Sequence, residues 1–127
     1  MPKNDFQTKI ALNKKARHYF DLLDFIEAGI SLNGPEVKSI RAGQVSFHDA
    51  YVIFRLGEAF LRGLHIAPYA NAGYARQEPD RERKLLLHAR EISSLAAKVE
   101  QKGLSVVPVN LHFRNGRVKV ELAVARG

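Results

Sequence analysis

Two alternating runs on either side of Asn115-Gly116 constrain this chain more than any other feature. Val107, Val109, Leu111 and Phe113 alternate with polar residues or Pro, and Val118, Val120, Leu122 and Val124 alternate in the same way beyond the Gly. Alternation at period two reads as a strand with one buried face, and Asn-Gly between two such runs is a tight hairpin signal, since both central residues must take positive φ. A two-residue loop fixes the register. Phe113 then faces Val118, Leu111 faces Val120, Val109 faces Leu122 and Val107 faces Val124. Every pair is apolar, so a slip of one residue would expose the whole set. The same register sets Arg114 against Arg117 and His112 against Lys119. Like charges across a strand pair cost roughly a few tenths of a kcal/mol each. A bound phosphate would reverse that cost; the alternative is side chains splayed into water.

The rest of the chain reads around this hairpin. Residues 19–32 mix aromatic and β-branched residues with acids and predict a strand. A helix follows, with Asn33 or Gly34 as its cap, Pro35 at its first position and Gly43 at its stop. Val37 and Ile40 share one face of it, and Lys38 and Arg41, also three apart, share another. Residues 51–56 and 58–66 predict two strands turning near Gly57, and residues 68–79 a loop. Pro79 opens a helical stretch in which Ile92, Leu95, Ala96 and Val99 have the spacing of a packed face, and Gly103 ends it. Residues 1–12 are polar and aperiodic and predict a flexible N-terminal arm. Residues 13–127 then form a single domain, as a chain of 127 residues allows. The composite is α+β, mainly β: an antiparallel sheet curled into an OB-like barrel with two or three flanking helices.

Charge narrows the partners. Twenty Lys and Arg oppose thirteen Asp and Glu, giving +7 at neutral pH. Such a surface attracts polyanions: nucleic acid first, an anionic membrane second, with a merely solvated basic surface as the alternative. The absence of Cys excludes disulfides, thiolate metal sites and thiol nucleophiles. No signal-peptide core and no apolar run of about 20 residues occur, so a cytoplasmic protein is expected. No phosphate-cradling Gly-rich loop, nucleophile elbow or His-Glu-x-x-His motif is present. His18, His48, His65, His88 and His112 are scattered with no pair at ligand spacing, and neither metal nor cofactor is expected. One catalytic reading remains, a small ribonuclease using His112 opposite Lys119; ordinary surface residues are the alternative. A generic single-strand binder would need a row of exposed aromatics, and most of the seven Phe and four Tyr fall at core positions. Docking rather than catalysis is the expected mode.

Four segments in order add a resemblance. They are Ala11-Leu12-Asn13-Lys14-Lys15-Ala16-Arg17-His18; Glu27-Ala28-Gly29-Ile30 with Gly34-Pro35-Glu36-Val37-Lys38-Ser39-Ile40-Arg41-Ala42-Gly43; Pro79-Asp80-Arg81-Glu82-Arg83-Lys84-Leu85-Leu86-Leu87-His88; and Asn115-Gly116-Arg117-Val118-Lys119-Val120. Residues 36–43 and 83–88 are the most specific pieces. The series resembles the bacterial SsrA-binding protein (small protein B) family over residues 10–127. That resemblance implies a barrel that binds transfer-messenger RNA (tmRNA) at the elbow of its tRNA-like domain. It implies delivery of that RNA, with elongation factor Tu, to stalled ribosomes for nascent-chain tagging and ribosome rescue. It also implies a monomeric adaptor without cofactor, and a basic C-terminal tail that this chain, ending at Arg126-Gly127, does not carry, so tagging on the ribosome is in question for it while RNA docking is expected without the tail.

Carried over by position, Glu27, Leu86 and His88 are implicated in RNA binding, His88 standing where some members have Asn. Glu27 could accept from base N–H groups or be a core-edge acid. Leu86 could pack on an unstacked base, but within Leu85-Leu86-Leu87 it is by default core. His88 could stack, or cap the following helix. Asn13, Lys14, Lys15, Arg81, Arg83 and Lys84 are assigned to phosphates, mostly on charge. Arg17, His18, Lys38, Arg41 and Lys119 complete the expected RNA face. Tyr19 belongs with them if it stacks on a base, although core is the commoner place for such an aromatic.

Overall fold

The hairpin forms where the alternation puts it. A computed structural model describes residues 7–70, 73 and 77–127, of Gln7 the backbone alone. In it β6 (Ser105–Arg114) and β7 (Arg117–Arg126) turn through Asn115 at φ 51 and Gly116 at φ 79. Phe113 pairs with Val118, His112 with Lys119, Leu111 with Val120 and Arg114 with Arg117, as the register requires. Beyond Leu111 the register shifts between Pro108 and Asn110, so Pro108 meets Leu122 and Val107 meets Ala123. The expected Val109–Leu122 and Val107–Val124 pairs therefore do not form. Pro108 has no N–H to give the ladder, and a bulge absorbs the loss.

Asn13 closes that bulge. Its backbone N–H donates to Val109 O at 2.9 Å and its side-chain amide to Pro108 O at 2.8 Å. The residue expected on a phosphate is spent on the fold. Asn13→Ala is expected to cost about 1 kcal/mol, the net worth of one partly buried hydrogen bond, read as a lower urea midpoint at unchanged slope. An unchanged midpoint would mean that water serves Pro108 equally well.

The remaining elements are β1 (Gln7–Leu12), α1 (Lys14–Tyr19), β2 (Asp21–Ile30), α2 (Gly34–Arg41), β3 (Val45–Arg55), β4 (Glu58–Ile66), β5 (Arg83–Leu86) and α3 (Ala89–Lys102). Seven strands join in the order β1-β6-β7-β2-β5-β4-β3, every pairing antiparallel. The sheet coils until β3 comes beside β6, giving a nearly closed barrel, the α+β architecture expected. Its interior is filled by Val52, Leu61, Leu64, Leu85, Val106, Leu111, Val120 and Leu122. On α3, Ile92 and Leu95 face this core, and Gly103 ends the helix at φ 64. On α2, Asn33 Oδ1 accepts from Glu36 N while Glu36 Oε1 accepts from Asn33 N, a reciprocal cap that starts the helix where the sequence places it.

Two expectations are corrected. Residues 7–12 are not a flexible arm. They form β1 on the outer side of β6, with Lys9 opposite His112 and Leu12 opposite Asn110. Without β1, β6 would leave a row of unpaired backbone groups at the edge. The strand is hard to see because Ile10 alone among its apolar residues packs on the core. Residues 1–6 lie outside the described part. The stretch opened by Pro79 is a turn and then β5, not helix. β5 has four residues, inserted between β2 and β4, too few for a period to register.

β5 also settles two side chains. Arg83 and Leu85 point inward, Lys84 and Leu86 outward. Arg83 is fully buried. Its Nε donates to Glu36 Oε2 at 2.8 Å, Nη1 to Leu64 O at 2.6 Å and Nη2 to Pro79 O at 3.0 Å. Arg81 grips the same carboxylate through Nη2 to Oε1 at 2.6 Å and Nε to Oε2 at 2.9 Å. Arg83 is thus a structural cation inside the fold, not a phosphate ligand, and Arg81 is committed beside it.

Candidate nucleic-acid interface

β2, β5 and β7 run side by side, and the start of α3 lies across one end of them. Between them is an open groove of about 560 Å³ lined by Glu27, Gly29, Lys84, Leu86, His88 and Lys119, among others. Five residues singled out from the sequence converge there: Glu27 from β2, Lys84 and Leu86 from β5, His88 at the cap of α3 and Lys119 from β7. Leu86 is 54% exposed, which overturns its default place in the core. The alternation of β5 turns the middle leucine of the triplet outward. Gly29 is its partner across the ladder, and a Cβ at Gly29 would lie 3.1 Å from Leu86 Cβ. The missing side chain lets Leu86 lie against bare strand, and Gly29 was not singled out beforehand. Lys84 Nζ pairs with Glu58 at 2.7 Å, both about half exposed. His88 caps α3 through its backbone N–H, which donates to Glu91 Oε1 at 2.8 Å, leaving the ring exposed.

Glu27 is held from behind. Its Oε2 meets His112 Nε2 at 2.6 Å and accepts from Arg114 Nε at 2.8 Å. His112 is 4% exposed, and its Nδ1 lies 2.8 Å from Asn110 Oδ1, whose amide nitrogen donates to Glu121 at 2.7 Å. Burial pushes the Glu27 carboxyl up, but the hydrogen bonds and charges of His112 and Arg114 outweigh it and hold it below its ordinary value. A carboxylate from β2 therefore serves one member of each of these cross-strand pairs, His112 and Arg114. Both His112 ring nitrogens face protein acceptors and the ring is buried, so the imidazole is engaged within the fold and not presented with Lys119 for the alternative of strand cleavage. The sequence placed His112 and Arg114 on one face of a strand; it could not say which carboxylate reaches them.

The other expected cations stand apart from the groove. On α1 only Ala16 is buried, while Lys14, Lys15, Arg17, His18 and Tyr19 are exposed. Tyr19 is 67% exposed, against the core place expected for it; a six-residue helix has one inward position and Ala16 takes it. Its ring meets His18 edge-on at 4.7 Å and lines a depression of about 270 Å³ with Lys15, Phe20 and Tyr51. On α2, Lys38 Nζ lies 5.7 Å from the centre of the Tyr69 ring and Arg41 5.4 Å from that of Phe113.

The barrel, the surplus of basic charge and the mixed polar and apolar groove define a class, the small β-barrel RNA-binding proteins. The family model described as SmpB protein matches residues 10–127, and the chain belongs to that family. The SsrA-binding protein of Oleidesulfovibrio alaskensis is 68% identical over 118 residues, 93% of this chain and 76% of the relative. That of Solidesulfovibrio magneticus is 61% identical over 98% of this chain and 81% of its own length. That of Acidothermus cellulolyticus is 49% identical over 100% of this chain and 80% of its own. A solved chain from "tmRNA-SmpB: a journey to the center of the bacterial ribosome" superposes with a TM-score of 0.75 at 46% identity, covering 98% of this chain and 84% of that one. Among the described residues no helix is long and apolar enough to cross a membrane.

Proposed function

We infer that this chain is a tmRNA-binding adaptor of trans-translation, which docks on folded RNA and carries it to the ribosome. Its relatives are named for SsrA binding, and its solved neighbour is described with tmRNA and the bacterial ribosome. The observation that carries the reading at residue level is the groove. Leu86 over Gly29 offers an unstacked base an apolar platform. Glu27 accepts from base N–H groups or a ribose 2′-hydroxyl. Lys119 and Lys84 meet flanking phosphates, and His88 closes the end. Lys14, Lys15 and Arg17 make no ion pair among the described residues and attract the backbone without regard to sequence. Tyr19 adds a stacking surface; Lys38 and Arg41 add charge on the α2 side. In its finer form the reading is a cytoplasmic monomer that recognises the elbow of the tRNA-like domain. It then acts alongside elongation factor Tu, with the bond-making left to other machinery.

The test is a fluorescence-anisotropy titration at near-physiological salt, comparing a tRNA-like-domain transcript with linear RNA of equal length, the RNA then being run on a gel. Folded RNA is expected to bind at least about tenfold more tightly, about 1.4 kcal/mol, and to stay intact. Equal affinities would leave only a basic surface, and fragments would bring back the ribonuclease. In the same assay Lys15→Ala is expected to weaken both RNAs alike and to lower the slope of log affinity against log salt by roughly 0.7–0.9. An unchanged slope would remove Lys15 from the phosphate contacts.

A further inference from the structure

The β3–β4 hairpin is regular near its Leu56-Gly57 turn and broken at the far end. Phe47 pairs with Leu64 and Tyr51 with Arg62, so residues 48–50 of β3 face Gly63 alone. Asp49 sits at φ 51, in the left-handed region that residues other than glycine, Asn and Asp seldom adopt. Gly63 is at φ 83, and a Cβ there would come within 2.6 Å of His48 O and 2.7 Å of Ala50 Cα. The bulge is thus pressed onto bare backbone. Bulges re-aim side chains, and this one is accompanied by His48 lying over His65, ring centroids 5.2 Å apart and planes at 21°. From the turn before β5, Asp80 Oδ1 meets His65 Nδ1 at 2.7 Å. A donor atom from each of His48, His65 and Asp80 lies within 4.8 Å of the other two.

We propose that His48, His65 and Asp80 bind a divalent transition-metal ion of the zinc type, with the fourth position open to water. Two imidazoles and one carboxylate suit zinc, copper or nickel, whereas calcium and magnesium want oxygen donors throughout. Two imidazoles on one tetrahedral ion at about 2.0–2.1 Å place their ring centres roughly 5 Å apart, close to the separation already present, and rotation of His48 out of its near-parallel stack on His65 would aim both nitrogens at one ion. His48 and Asp80 are exposed and have room to close the remaining distance by side-chain rotation, while His65 is half-buried between them. The ion would tie the bulge of β3 to the turn that leads into β5. That turn is already fixed next to Asp80, where Pro79 O accepts from Ile66 N at 3.0 Å. Positions 48, 65 and 80 are far apart along the chain, so sequence spacing shows no ligand set; the bulge and the turn create one. The site lies about 25 Å along the hairpin from its turn, at about 3.3 Å per residue, and so away from the groove.

The experiment uses the full chain without a histidine tag, treated with chelator and titrated with Co2+. The visible absorption of low-coordinate Co2+ is the signal and Zn2+ the competitor. One ion per chain is expected, displaced by Zn2+. H48Q and H65Q should each weaken binding at least about tenfold, with circular dichroism unchanged. Absence of a saturable signal overturns the proposal, as does a signal that survives both substitutions.

Discussion

Glu36→Gln is expected to lower the unfolding free energy by about 3 kcal/mol or more, the loss seen when one partner of a buried ion pair is removed. Arg83 is fully buried and Glu36 nearly so, and every polar contact of the Arg83 head is to Glu36 or to the carbonyls of Leu64, Glu78 and Pro79. Glutamine keeps the shape and leaves the cation without its counter-charge, with Arg81 as a second cation beside it. The measurement is a urea titration of the variant against the parent. The pair term follows from a double-mutant cycle with Arg83→Met: the double variant should lose less than the sum of the two singles. Simple additivity would mean that the two side chains do not interact in solution.

The same pair sets an acid limit. Burial pushes the Glu36 carboxyl up, but hydrogen bonds from Arg81, the Asn33 N–H and Arg83, with the charge of Arg83, hold it below its ordinary 4.5. A carboxyl lowered in the folded state adds stability that is complete above its unfolded value and is lost as pH falls through the lowered folded one. The parent should therefore lose stability more steeply than Glu36→Gln below 4.5. Parallel profiles would sink the assignment.

Local pattern made part of this molecule legible. The alternating runs and Asn-Gly dictate the hairpin as far as Leu111, because each link there is between near neighbours. Pro108 was visible as a residue without an N–H, yet the expected register ran straight through it. Where the slack would go was not visible, since Asn13, which closes it, lies 95 residues away. β5 shows the limit from another side. In Arg83-Lys84-Leu85-Leu86 composition argues for cations outside and leucines inside. The strand instead imposes strict alternation, burying one cation and exposing one leucine. Burial of Arg83 requires Glu36, 47 residues upstream, and no spacing rule reports such a pairing. The site follows the same division. Glu27, Leu86 and His88 came from the family resemblance, whereas the residues that hold Glu27 sit 85 and 87 positions away on β6. Arg81 and Arg83 were assigned to phosphates mostly on charge, and both are committed to Glu36, because a basic residue count does not distinguish a solvated cation from a paired one.

The largest expected effect on RNA recognition falls at Glu27. Glu27→Ala should weaken binding to the tRNA-like domain by roughly 10–100-fold, about 1.4–2.8 kcal/mol, and leave linear RNA almost unchanged. Loss of a carboxylate from a basic protein should, on charge alone, strengthen binding to any RNA. A selective loss on folded RNA therefore points to specific acceptance by Glu27 and not to the general field. The substitution also removes the acceptor of buried His112, so a urea titration must accompany it. His112→Gln separates the two effects, since it leaves the carboxylate in the groove but loosens its support. Its discrimination between folded and linear RNA should fall part of the way, further than Lys15→Ala moves it. If Glu27→Ala weakens folded and linear RNA equally, Glu27 belongs to the ion-pair network of β6 alone, and recognition must rest on Leu86 and the lysines around it.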